Sequence, residues 1–149
     1  MGGVRQFCTF SLGELSFGVD VRSIQEVLRH HEMTRVPAAS PAVRGLINLR
    51  GQVVMAIDLR HRLGLPPGRP EAGSIHVLIR TEDRPVSLLV DEVGDILDLG
   101  GEPMEPPPET IRGELRGLVV GIYKLPDRLL LVLDAGRVVD FDAAAESAA

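Results

Sequence analysis

The sequence predicts an all-β protein in which short helices only join strands, and three observations lead there. About ten short runs, alternating or continuously apolar, recur at turn spacing between Gly, Pro, Asn and Asp. Hydrophobic residues make up 44% of the chain, yet aromatics are 3% and Trp is absent. The core must therefore be built from Val, Leu and Ile, which suit twisted sheets. At 149 residues the chain can bury one sizeable core or two very small lobes. Ten strands can close as two five-stranded barrels rather than one large one. No clear internal repeat is visible, although each half contains paired hairpins.

Taken in order, Arg5 to Leu12 alternates, Gly13-Glu14 turns it, and Leu15 to Val19 returns as an antiparallel hairpin. Asp20 can cap a short helix carrying Val21, Ile24, Val27 and Leu28 on one stripe, with Glu26 on the solvent side. Met33 to Val36 reads as a third strand, stopped by Pro37 and Pro41. The stretch VRGLINLRGQVVMAIDLR, Val43 to Arg60, then makes the central hairpin. Asn48 suits the first position of a type I turn and Gly51 the fourth, leaving Arg50 at the tip. Asp58 offers an N-cap to one or two helical turns, and Gly64 fits the C′ position that ends them.

Pro66 to Pro70 reads as a stiff exposed connection. Ile75 to Thr81 and Val86 to Val90 form another hairpin, turning at Glu82 to Pro85. In DEVGDILDL, Asp91 to Leu99, acids and Gly94 separate Val93, Ile96-Leu97 and Leu99; the acids read as solvated faces around them. Gly100 to Arg116, with Pro103 and Pro106-Pro107-Pro108, is a loop of polyproline character. A last hairpin, Leu118 to Leu125 and Arg128 to Leu133, turns on Pro126-Asp127. Asp134 caps a short helix through Val139, and residues 141–149 form a flexible tail.

Charge and chemistry narrow the function. A net charge of −5, without a basic cluster or interleaved aromatics, disfavours nucleic-acid binding. One cysteine, Cys8, rules out an internal disulfide framework and fits a reducing compartment; on an alternating strand it reads as a small hydrophobe. No signal region precedes the first strand, and no apolar run can cross a bilayer, so the expectation is a cytoplasmic protein without direct membrane insertion. His30-His31 lacks the spacing of a metal site, because adjacent residues on a strand or helix point apart; no metal or cofactor is expected. His61 reads as a surface residue and His76 as a core histidine. There is no phosphate-binding glycine loop and no nucleophile elbow. No constellation for an enzyme is present. From spacing alone, Arg50 is either a solvated turn residue with a surface ion pair or a docking residue.

The segment GLINLRGQVVMAIDLR, Gly45 to Arg60, resembles the signature of the CheW family. FSLGELSFGVDVRSIQEVLR from Phe10 to Arg29, TRVP from Thr34 and VSLLVDEVGDIL from Val86 to Leu97 agree in the same order, so the resemblance spans roughly residues 5–140. It implies a single CheW-like domain of two packed five-stranded SH3-like β-barrels. The first barrel is expected from about residues 4–43 plus 115–140, the second from 44–114. It also implies a non-catalytic adaptor between the cytoplasmic tip of methyl-accepting chemotaxis receptors and the regulatory domain of a CheA-type histidine kinase. Such a protein is monomeric when isolated and recruited to membrane-associated, array-forming assemblies. The receptor groove is carried over to Ile24, Glu26, Arg50, Val90 and Val93, and the kinase to the second barrel's edges near Gly45 and Gly51. A chemosensory pathway for motility or pilus control is the alternative output, and a small β-barrel nucleic-acid-binding module is an alternative of another class.

Overall fold

The structure, a computed structural model, describes residues 5–35, 40–68 and 75–140. Among them ten strands form two five-stranded sheets. Strands β1 (Gln6–Leu12), β2 (Leu15–Asp20), β3 (Ile24–Leu28), β4 (Val43–Leu49) and β5 (Gln52–Asp58) come first. Then follow β6 (Ile75–Ile79), β7 (Val86–Val90), β8 (Glu92–Asp98), β9 (Val119–Lys124) and β10 (Leu129–Leu133). Helices α1 (Leu59–Arg62), α2 (Glu114–Leu118) and α3 (Ala135–Val139) are one turn or little more. The third strand expected over Met33 to Val36 is reduced, among its described residues, to a single bridge at Thr34. Its end at Val36, the Arg69-Pro70 end of the stiff connection and the tail 141–149 lie outside the described residues.

The two sheets share one topology in circularly permuted form. The first runs β8-β1-β2-β10-β9 and the second β3-β6-β7-β5-β4. In each, a hairpin joins in parallel to the second strand of another hairpin: β2 to β10, and β7 to β5. In each, the segment that follows one edge strand then laps onto the opposite edge. Thr34, after β3, exchanges two backbone hydrogen bonds of 2.8 Å with Leu46 of β4. Glu105, after β8, exchanges bonds of 2.9 and 2.8 Å with Ile122 of β9. These bridges satisfy edge groups and close each sheet toward a barrel. Glycine permits both approaches, because a Cβ on Gly45 would sit 2.5 Å from the Thr34 carbonyl oxygen, and one on Gly121 2.9 Å from that of Glu105.

This order corrects the expected division at two strands. β3 belongs to the second sheet and β8 to the first, so the chain changes barrel after Asp20 and again at Asp91. The helix expected over Val21 to Leu28 is also corrected. Asp20 does cap, accepting from the Arg22 N–H at 2.9 Å, but only one 3-10 turn, Val21–Ser23, follows. Every residue of β3 is half-buried, so both faces are partly covered and the strand shows no period-two pattern. Pairing with β6 outweighed a helical stripe that was built largely of β-branched residues.

The largest apolar cluster draws Phe10, Phe17 and Val19 from the first sheet and Ile57, Val77, Leu88 and Val90 from the second. The barrels therefore share a core. Smaller clusters fill each one: Phe7, Tyr123 and Leu130 in the first, and Ile47, Val54 and Leu78 in the second. A polar junction reinforces the contact. The Asp91 carboxylate accepts from Arg60 Nη1 at 3.1 Å, from Arg60 Nη2 at 2.7 Å and from the Gly13 N–H at 2.7 Å. Asp91 is thus an inter-sheet link and not one of the solvated acids it was read with. Arg60 is placed by α1, which ends as expected on Gly64 at φ 73°. The Gly64 N–H donates to His61 and the Leu65 N–H to Arg60, a Schellman closure.

Cys8 is buried on β1, and burial pushes its thiol pKa up, in keeping with a hydrophobic role. His76 is 3% exposed and shares a hydrogen bond of 2.8 Å with Ser87 Oγ. Burial, and then the neighbouring His31, lower its pKa below the ordinary 6.5. As pH falls through the unfolded value, unfolded chains take up a proton that the folded chain refuses, so stability present above that pH is lost. The urea midpoint is expected to drop between pH 7.5 and 5.5, with a shallower drop in His76→Asn. Equal slopes in the two proteins would contradict this assignment.

Candidate docking site

The central hairpin is tighter than a type I turn. Leu49 pairs with Gln52, leaving Arg50 and Gly51 as a two-residue loop. Their φ values, 52° and 84°, are those of a type I′ turn, whose twist matches the flanking strands. Asn48 consequently lies one residue before the turn, where its Oδ1 accepts from the Gly51 N–H at 2.9 Å. Arg50 is the one described non-glycine residue with positive φ. That conformation aims a long cation outward from a stiff base, and 67% of its side chain is exposed.

Its guanidinium does not stand free. Nη2 of Arg50 donates to Glu26 Oε2, joining the turn to β3 across 24 positions of sequence. The Arg50 hydrogen bond is the main cause holding the Glu26 carboxyl below the usual range. Glu26 is therefore half-buried and paired, where the helical reading had it facing solvent.

The other carried-over residues separate. Ile24 opens β3 and Val93 lies on β8, so they sit on edge strands of different sheets, each half-buried against the shared core. Val90 ends β7 and is fully buried; its expected place on a groove wall is corrected, because it offers no surface. Gly45 is buried under the segment carrying Met33 and Thr34, whereas Gly51 is exposed in the turn. Beside them Leu46, Val53, Met55 and Val86 line an open groove of about 460 Å³, with Val53 45% exposed. The sequence does not mark that groove, although alternation in the run Val53 to Ile57 puts Val53 and Met55 on one face and the buried Val54 and Ala56 on the other. His31, of the adjacent pair that lacks the spacing of a metal site, bonds the Asn48 carbonyl through Nε2 at 2.7 Å. No group of three or more metal-ligating side chains occurs among the described residues.

Comparison with known proteins decides the family. The model of the CheW-like domain matches residues 6–142. The chain belongs to the CheW-like domain family. It is 33% identical over 132 residues to a probable chemotaxis protein CheW of Rhizobium etli, covering 89% of this chain and 85% of that one. It is 31% identical over 131 residues to the chemotaxis protein CheW of Bacillus subtilis, covering 88% and 84%. A crystal structure of the scaffolding protein TtCheW from Thermoanaerobacter tengcongensis superposes with a TM-score of 0.80 at 26% identity, over 95% of this chain and 96% of that one. This CheW-like chain is a chemotaxis coupling adaptor. Among its described residues no helix is long and apolar enough to cross a membrane.

Proposed function

We propose that the chain couples methyl-accepting receptors to a CheA-type histidine kinase without doing chemistry of its own. The observation that carries this reading is Arg50, a fixed and exposed cation whose one described partner is Glu26. A helical receptor tip laid against Ile24 and Val93 meets apolar surface, while Arg50 and Glu26 set its register by charge complementarity. The groove at Leu46, Val53 and Met55, beside Gly45 and Gly51, suits the kinase's regulatory domain. Single contacts of this size are weak, so the isolated chain is monomeric and array membership supplies the avidity. Recruitment from the cytoplasm to the membrane follows from binding the receptor tip.

The test separates the two faces. Arg50→Asp should reduce co-sedimentation with receptor-bearing membranes about tenfold or more while leaving kinase pull-down near wild type, since close charge pairs at interfaces contribute on the order of 1.5 kcal/mol or above. Val53→Asp should do the reverse. An Arg50→Asp protein with a wild-type circular dichroism spectrum and undiminished co-sedimentation would remove Arg50 from the docking site.

A further inference from the structure

Two hydrogen bonds bracket Arg50, and both run through Asn48. Its side chain holds the Gly51 N–H at 2.9 Å, as described above. Its main-chain carbonyl has a separate partner. β4 is the outer strand of the second sheet, and in a two-residue hairpin the pair next to Leu49 and Gln52 exchanges no backbone hydrogen bonds. The Asn48 carbonyl therefore points away from β5, on the same edge where Leu46 meets Thr34. His31 Nε2 lies 2.7 Å from that oxygen. A carbonyl can only accept, so Nε2 carries the proton and the neutral ring is the Nε2–H tautomer.

The position of His31 is itself set from the core. Its ring meets that of His76 edge-on, with centroids 6.5 Å apart and planes at 78°. His76 is buried on β6 and anchored to Ser87 of β7. A line of contacts thus runs from Ser87 through His76 and His31 to Asn48, ending at a turn whose Arg50 adopts a backbone conformation that L-residues disfavour. Such a conformation persists where its surroundings over-determine it. His30 next door shares in none of these bonds, so the function lies in one histidine and not in the pair.

We propose that His31 is the positioning residue of the arginine turn, holding the Asn48 carbonyl so that the Arg50 guanidinium stays where it meets Glu26. The proposal rests on the reading of Arg50 as a docking residue for its consequence in binding, but the positioning can be measured without any partner. In the full chain, amide hydrogen exchange at Gly51 is the direct readout. His31→Ala is expected to accelerate it about tenfold, the equilibrium value of one hydrogen bond, and to weaken binding to receptor-bearing membranes by about three- to tenfold. His31→Gln places an amide N–H near the position of Nε2 and is expected to restore both. A purely packing role for His31 would not be rescued by that substitution. Unchanged Gly51 exchange in His31→Ala, or Gln behaving like Ala, overturns the positioning role. Arg50→Ala serves as the control: undiminished membrane binding by that variant sinks the docking reading, while Gly51 exchange still decides His31.

Discussion

Asp91→Ala is expected to lower the unfolding free energy by about 2–4 kcal/mol, among the largest effects of any polar substitution in the chain. The side chains of Arg60 and Asp91 are only 15% and 19% exposed, so the substitution strands a guanidinium that water reaches poorly. It also deprives the Gly13 N–H of its acceptor. Both losses carry a desolvation penalty beyond the contact itself. The three groups come from the β1–β2 turn, α1 and the β7–β8 crossing, so the damage falls where the barrels meet. Asp91→Asn keeps an acceptor and the shape but loses the charge, and should cost roughly half as much. Urea unfolding of the wild type, both single variants and Arg60→Ala, with Asp91→Ala/Arg60→Ala completing the cycle, measures the coupling. A coupling energy near zero would mean that the two charges are each satisfied by solvent.

What could be read in advance follows a physical line. The central hairpin, the α1 caps at Asp58 and Gly64 and the α3 cap at Asp134 were legible, because turn residues and caps act over three or four positions. The total of ten strands agrees only because β3, expected as helix, replaces the strand expected at Met33 to Val36. The exchange of β3 and β8 between sheets was not. Pairings such as Cys8 with Ile96 or Val27 with Val77 depend on residues 50 to 88 positions apart, and no local pattern encodes them. The same limit hid the shared topology, since a circular permutation leaves no fixed sequence period. At the docking site the exposed Arg50 followed from the turn, whereas its pairing with Glu26 did not, because the strand carrying Glu26 looked helical. Val90 was carried over from the resemblance alone, and the sequence could not check it, because a run such as Val86 to Val90 does not show which of its residues reach a surface.

The two closure points allow a comparison within one molecule. Gly45→Ala should destabilise by about 2–3 kcal/mol, because its Cβ would lie 2.5 Å from the Thr34 carbonyl oxygen and 2.8 Å from Met33 Cγ. The oxygen belongs to a backbone tied to Leu46 by two hydrogen bonds, so it cannot withdraw without breaking them. At Gly121 the nearest atoms are Cγ and Sδ of Met104, at 2.7 and 2.8 Å. Met104 is 38% exposed on a flexible stem that can swing into solvent, and the Glu105 oxygen behind it is 2.9 Å away. The Glu105 oxygen is tied to Ile122 by a like pair of bonds, but at 2.9 Å against 2.5 Å it has less to give. Gly121→Ala should therefore cost less than Gly45→Ala, about 1–2 kcal/mol. The order matters more than either magnitude, since it tests whether the Thr34–Leu46 bridge is a rigid closure. It also reaches function: a second barrel opened at Thr34 releases the segment that carries His31, so Gly45→Ala should loosen the arginine turn, with faster Gly51 exchange, while Gly121→Ala leaves that turn untouched. Equal urea midpoints for the two variants, or the opposite order, would show that the edge segment yields readily and that the bridge does not set the shape of the barrel.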